Sequence, residues 1–310
     1  MLRGRRGVAL MLVLWLIVVL GTIAVGVAAL VRGEADVTRN LRTRAVARYG
    51  AESGIVAATW RLKELLRAAR TPRDQALVFR RLDRVLEDVQ RERIGKAQFQ
   101  VAIVDLNARL DLNVTPEPML LAFFEQFVDA REAATLVNAL QDWKDDDDIA
   151  RANGAEAEDY ARAGSPFRPT NRPLQRLDEL ARIKGFSDRL ADRIAPYVTV
   201  QGDGRLNLNT ASVEVLTALL SGQRDRARAI ALQRENGEVF TSLAELRSLM
   251  PREFDLSQLT TMPERVLFVS RGWEPGHPLT HEIQAVYDLD AVRLAEGPRL
   301  IPRFWTERDR

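Results

Sequence analysis

The residues best placed to do chemistry lie in one stretch, Asp142 to Gly164, DWKDDDDIARANGAEAEDYARAG. Asp145 and Asp147, and likewise Asp146 and Asp148, are one residue apart, the gap that lets alternate loop carboxylates converge on a hard cation. Gly154 permits a tight return, after which Glu156, Glu158 and Asp159 can close the shell. Such a set suits calcium, which takes about six to eight oxygens at about 2.3–2.6 Å in irregular geometry. Without a cation four adjacent aspartates repel one another, and a charge run is equally a solvated acidic loop. The twelve-residue EF-hand pattern with its closing Glu is absent, so spacing alone leaves both readings open.

Other chemistry is thinly supplied. The chain has no cysteine, which removes disulfides, thiol catalysis and zinc–thiolate sites together. The two histidines, His277 and His281, have a helical spacing that would suit zinc, but Pro278 lies between them and no H-E-x-x-H glutamate accompanies them. They read as exposed or packing residues. No Gly-x-Ser-x-Gly elbow, Walker loop or dinucleotide fingerprint is present. Two segments, Leu177 to Val198 and Asn209 to Leu249, look like helix-hairpin-helix units, a motif that can offer backbone N–H groups to a nucleic-acid phosphate. Their hairpins, IKGFSD and LLSGQRDRA, have one glycine where two would be expected. Gln175 to Met262 holds 12 basic and 12 acidic residues, and phosphate neutralisation needs an excess of positive charge. A packing role is therefore the expectation, with no nucleic acid as partner. The whole chain is at +2, three of its cations being Arg3, Arg5 and Arg6.

These residues must be held by some scaffold, and its elements are readable. Val8 to Val31 carries no charge, and its 24 residues would span roughly 36 Å as a helix, enough for a bilayer core of about 30 Å. A cleaved secretory signal needs an apolar stretch of only about 7–15 residues, although VAA at Val27 to Ala29 could serve as its cleavage site. The arginines before the run, against mixed signs at Arg32, Glu34 and Asp36 after it, put the N-terminus in the cytoplasm and the rest outside. A long charged helix follows, broken at Thr71 to Asp74, where Thr71 can cap and Pro72 open a second helix. Strand patterns run over Ala97 to Asn113, Glu264 to Gly272 and Thr280 to Asp290, with an edge strand bearing Pro302 near the end. Between them the pattern is helical. RLDLNVTPEPMLLAFF from Arg109 is echoed by RLNLNTASVEVLTALL from Arg205, either two similar strand-to-helix transitions or a true duplication. The fold class is α+β: a small sheet domain at 32–111 and 263–310, an inserted helical domain at 112–262, and a spanning segment at 8–31.

Taken in order, RRGVALMLVLWLIVVL, DLNARLDLN, DW.DDDD.....GAEAEDY, NRPLQRLDELARIKG and LNLNTASVEVL resemble the type II secretion system minor pseudopilin family called protein K. The resemblance runs over nearly the whole length. It implies a prepilin-type leader, 1–7, cut between Gly7 and Val8 by a prepilin peptidase, with N-methylation of Val8. Most pilin-like subunits carry glutamate at the fifth mature position; here it is Leu12, a departure shared by protein K members. That glutamate would pair with a neighbouring subunit's N-terminal ammonium in the filament core. A subunit without it suits the tip.

The resemblance further implies a pilin-like sheet domain, and a tip complex with the minor pseudopilins I and J that starts a pseudopilus of major subunits. It also implies calcium in the acidic region, with Asp145, Asp147, Glu156 and Asp159 at matching positions and Asp142 and Asp148 beside them. The expected protein is thus a non-enzymatic, single-pass inner-membrane subunit with a periplasmic C-terminal domain, serving protein export. A membrane-anchored DNA receptor and a calcium-dependent periplasmic hydrolase are the alternatives; the first lacks local positive charge and the second a nucleophile–base pair.

Overall fold

Helix α1 runs unbroken from Arg5 to Ala68, 64 residues, in a computed structural model that describes residues 5–82, 93–250, 254–290 and 297–310, the side chains of 5–9 and 28–36 excepted. Residues 1–4 of the expected leader, Arg3 among them, lie outside the described residues. From Leu10 to Val27 the helix has a mean hydropathy of 2.8 and no buried residue, and is long and apolar enough to cross a membrane. Beyond Thr43 its character changes. Ala47, Ala51, Ile55, Ala58, Leu62 and Leu66 recur every three or four residues and are all buried, the stripe of a helix seated on a core.

That core is a five-stranded sheet, all antiparallel, in the order β1 (Arg93–Ile94), β2 (Ala97–Asp105), β7 (Arg265–Trp273), β8 (Thr280–Asp290) and β9 (Arg299–Asp309). Phe99, Val101, Ile103, Val266, Phe268, Ile283 and Ala285 pack under α1. The seat is close at Gly272, where an added Cβ would fall inside contact distance of the Ala47 carbonyl oxygen and the Ala51 nitrogen. Pro302 lies in β9 at the sheet's edge, the position where a strand tolerates proline. The strand expected over Ala97 to Asn113 stops at Asp105, because the Asp105 carboxylate accepts the Asn107 N–H at 2.8 Å and turns the chain into a 3₁₀ helix, Leu106–Ala108. Helix α2 (Pro72–Arg80) starts as expected, with Thr71 Oγ1 accepting the Asp74 N–H at 3.1 Å.

The inserted region has its own buried core, from Leu110 to Leu259, and is a doubled unit. In the first copy β3 (Leu110–Asp111) pairs in parallel with β4 (Val198–Thr199); in the second, β5 (Leu206–Asn207) pairs with β6 (Leu259–Thr260). Helices α3 (Glu117–Phe124) and α4 (Ala130–Lys144) follow β3, as α7 (Val213–Leu219) and α8 (Arg224–Glu235) follow β5, and α3 packs on α7. Asn113 accepts the Leu174 N–H and donates to the carbonyls of Leu174 and Val200. Asn209 makes the same three bonds to Phe240 and Thr261. The echo of RLDLN and RLNLN is therefore a structural repeat. Asn113 and Leu174 are 61 residues apart and Asn209 and Phe240 only 31, and the extra length is the stretch after α4 that carries the acidic residues.

The two cores meet through polar groups. Asp105, at the end of β2, also accepts Asn207 Nδ2 at 2.9 Å and the Thr210 hydroxyl, and burial pushes its carboxyl up to about 6 against those hydrogen bonds. Asn107 Oδ1 accepts the N–H groups of Glu264 and Arg265, which fixes the return into β7.

Candidate metal centre

Helix α4 delivers the acidic loop. Asp129 caps it, accepting the Glu132 N–H at 2.9 Å, and Trp143 and Leu140 pin its last turns in the core. Asp145 is the C-cap, beside the negative end of the helix dipole, where a cation is favoured and an anion is not. Asp142, one turn back and fully buried, anchors the return: both its oxygens accept the Arg151 N–H, at 3.3 and 3.2 Å. Gly154 lies against this carboxylate so closely that any Cβ would strike Asp142 Oδ2. The residue with left-handed backbone is its neighbour, Asn153 at φ 60°. Space, not backbone freedom, requires the glycine.

The return carries Glu156 back over the end of α4. Oxygens of Asp145, Asp147 and Glu156 all lie within 4.8 Å of one another. Glu156 is 4% exposed, and neither of its carboxylate oxygens, nor Asp145 Oδ1, has a hydrogen-bond partner among the described residues. Burial first, then the charges of Asp142, Asp145, Asp148 and Asp147, push the Glu156 carboxyl up to about 7. Burial first, then the charges of Asp147, Asp142 and Asp146, raise Asp145 as well, against Arg151. Three converging carboxylates, with buried oxygens that nothing satisfies, form an all-oxygen donor set that fits a hard divalent cation.

The acids around the cluster, and Asp147 within it, also have protein partners. Asp147 Oδ1 accepts the Ile149 N–H at 2.8 Å, and Asp148 Oδ1 the Asn171 side-chain amide at 3.3 Å. Asp159 stands apart from the cluster: it accepts the Glu156 N–H at 3.0 Å at the start of α5 (Ala157–Arg162) and pairs with Arg162. Lys144 points away from the acids, donating to the carbonyls of Leu112 and Asn113. Arg151, which the sequence reading passed over, is the loop's own cation, 3.7 Å from Asp142 and 3.8 Å from Asp145 and paired with Glu117 at 2.7 Å. Gly7 and Val8 lie in the first turns of α1, where only backbone is described, and Leu12 is 67% exposed on its apolar half.

His281 is buried in β8 between Asp309, at 2.7 Å, and Glu307, at 3.4 Å, with His277 in the turn before it. The first of the two hairpins opens on a 3₁₀ helix, Leu177–Arg182, and sends Ile183 and Phe186 into the domain core, Phe186 meeting Phe124 at 5.6 Å.

A family profile described as type II secretion system (T2SS), protein K matches residues 104–203, a span that holds the whole acidic cluster. Similar curated proteins bear the name type II secretion system protein K: one from Klebsiella pneumoniae is 37% identical over 82 residues, 26% of this chain and 25% of that protein. Another, from Aeromonas hydrophila, is 33% identical over 122 residues, 37% of each, and one from Pectobacterium carotovorum subsp. carotovorum is 30% identical over 150 residues, 46% of this chain and 44% of that protein. The alignments thus span between a quarter and under half of these relatives' length. The fold matches a chain in the crystal structure of the GspK-GspI-GspJ complex from the enterotoxigenic Escherichia coli Type 2 Secretion System, with TM-score 0.65 and 17% identity over 88% of this chain and 98% of that one. Residues 104–203 match the type II secretion system protein K family, and the chain as a whole shares the fold of that solved chain.

Proposed function

We propose that this chain is a minor pseudopilin at the tip of a type II secretion pseudopilus, a structural subunit and not an enzyme, which nucleates assembly with partners equivalent to the I and J proteins. The observation that carries the reading is α1. Its exposed apolar half leads without a break into the half seated on the sheet, so membrane anchor and folded domain are one rigid lever. Such an anchor can leave the bilayer and become filament core while the domain stays folded. Leu12 offers no carboxylate for a subunit stacked above it, and the doubled inserted domain is too bulky to repeat along a thin filament but suits a cap. The solved relative that shares the fold is itself one member of a three-protein complex.

In this reading Arg5 and Arg6, with Arg3, keep the N-terminus in the cytoplasm, and the C-terminal domain stands in the periplasm of the inner membrane. Prepilin peptidase cuts after Gly7, Val8 is methylated, and major pseudopilin subunits follow below. The acidic cluster takes calcium, held by Asp145, Asp147 and Glu156, with Asp142, Asp148 and Asp159 shaping the loop around it. Intact-mass measurement of the protein from cells that carry the secretion system tests the assignment. A chain beginning at Val8 and one methyl group heavier is expected; one that begins after Ala29, or retains Met1, overturns it.

A further inference from the structure

The sheet face turned away from α1 and the inserted domain enclose a cleft of about 420 Å³, within the size range of ligand sites. Its walls are apolar on both sides: Leu267, Val269 and Val286 from the sheet, Val198 and Val200 from β4 and its exit. Every charged side chain that lines it but one has an ion-pair partner, three arginines sharing Glu282. Glu282 is 1% exposed at the centre of Arg271, Arg308 and Arg310, at 2.8, 2.6 and 3.0 Å, and Arg176 pairs with Asp178 at 2.9 Å.

Arg109 is the exception. It lines the same cleft, largely buried, and its guanidinium makes no hydrogen bond or ion pair with any described residue. The carboxylate whose field it feels, Asp105, has its own oxygens filled by Asn107, Asn207 and Thr210. The doubled unit supplies an internal comparison. Arg205, the equivalent residue of the second copy, pairs with Glu264, which stands four residues beyond Thr260. The residue at the same place after Thr199 is Asp203, and it is turned instead to Asn107 Nδ2, at 2.7 Å, and the Arg205 N–H, at 3.0 Å. The first copy keeps the arginine and lacks its counter-ion.

We propose that this cleft binds a peptide segment with apolar side chains around a carboxylate, and that Arg109 is the group that takes the carboxylate. A guanidinium is a planar fork that matches a carboxylate in two parallel bonds, and apolar walls on both sides shield such a pair from water. A small hydrated anion would leave those walls unused.

The test uses the full chain in a non-ionic detergent, with fluorescein-labelled hexapeptides of alternating valine and glutamate, or valine and glutamine, followed by fluorescence anisotropy. Saturable binding of the glutamate peptide is expected, with the glutamine peptide at least about tenfold weaker, the scale of one lost charge-assisted bond. Arg109→Met, which keeps the stem, should bind both peptides equally weakly and melt no lower than the parent, because it removes a buried charge that has no partner. The proposal is overturned if neither peptide binds, if the parent binds both equally, if inorganic phosphate at the peptide's concentration displaces it, or if Arg109→Met still discriminates. A lowered melting midpoint in Arg109→Met would overturn it too, making the arginine a structural counter-charge for Asp105.

Discussion

Glu156 is a carboxylate folded into a place where its charge is hard to keep, and the consequence is a pH dependence of defined sign. Its ordinary value is 4.5 and in the folded chain it is pushed up to about 7. Between those values the folded protein holds a proton that the unfolded chain has lost, so stability is greatest below the lower value and falls as pH rises through the upper one. Asp105, pushed up from 3.8 to about 6, contributes a fall of the same sign over a lower window. The chelated protein should therefore melt at lower temperature at pH 7.5 than at pH 5, and Glu156→Gln should abolish the part of the fall above pH 6 while leaving the part due to Asp105. A cation bound there would do the proton's work. Calcium at about a hundredfold excess over its Kd stabilises by about 2.7 kcal/mol, or roughly 5–10 °C, and should flatten the profile above pH 6 in the parent but not in Glu156→Gln. Scanning fluorimetry with EDTA and with calcium measures both. Melting curves that coincide at pH 7.5 would remove the cation from the cluster.

At the scale of elements, the seat of α1 depends on what is missing from β7. A methyl group on Gly272 would meet two backbone atoms of α1, which cannot rotate aside as a side chain could, so the helix itself must shift. Gly272→Ala should cost about 1–3 kcal/mol, the usual range for overpacking, and guanidinium melts followed by circular dichroism would show it as a lower midpoint with an unchanged slope. An unchanged midpoint would mean that helix and sheet are not packed this closely. This contact was invisible in the sequence, whereas the elements that make it were plain: the three-to-four residue spacing from Ala47 to Leu66 and the alternation of Phe99, Val101 and Ile103 are periodicities set by each element's own geometry. The Asn113 and Asn209 clamps were half legible. The repeated RLxLN showed that something recurred, but their partners, Leu174 and Phe240, lie at different distances along the chain because one copy carries the acidic loop. In that loop Asp145, Asp147 and Glu156 were among seven acids marked out by type and spacing, and only the resemblance to protein K narrowed that set. The turning aside of Asp159 to cap α5, the clasp of Asp142 on the Arg151 N–H, and an arginine at 109 left without its counter-ion are outcomes of long-range folding that no local pattern encodes.

The molecule as a whole is two hydrophobic cores joined by polar groups, one under α1 and one within the doubled insert. Between them run Asp105 to Asn207 and Thr210, Asn107 Nδ2 to Asp203 and the Arg205 carbonyl, and Arg73 and Arg80 of α2 to the carbonyls of Gly237 and Glu238. Each such bond is worth roughly 0.5–1.5 kcal/mol net, far less than the apolar burial inside either core, so the cores should unfold as separable units. Calorimetry on the full chain in detergent should then resolve two transitions with different sensitivities. Calcium at the proposed cluster would touch side chains of the insert alone and should raise one transition; Gly272→Ala disturbs the sheet core alone and should lower the other. A single transition moved by both would mean that the Asp105 junction couples the cores into one cooperative unit. Two transitions, each answering to its own perturbation, would establish that the sheet domain can stay folded on α1 while the insert responds to a cation, the behaviour the proposed tip role needs if the cap is to rearrange against partners without releasing the filament below.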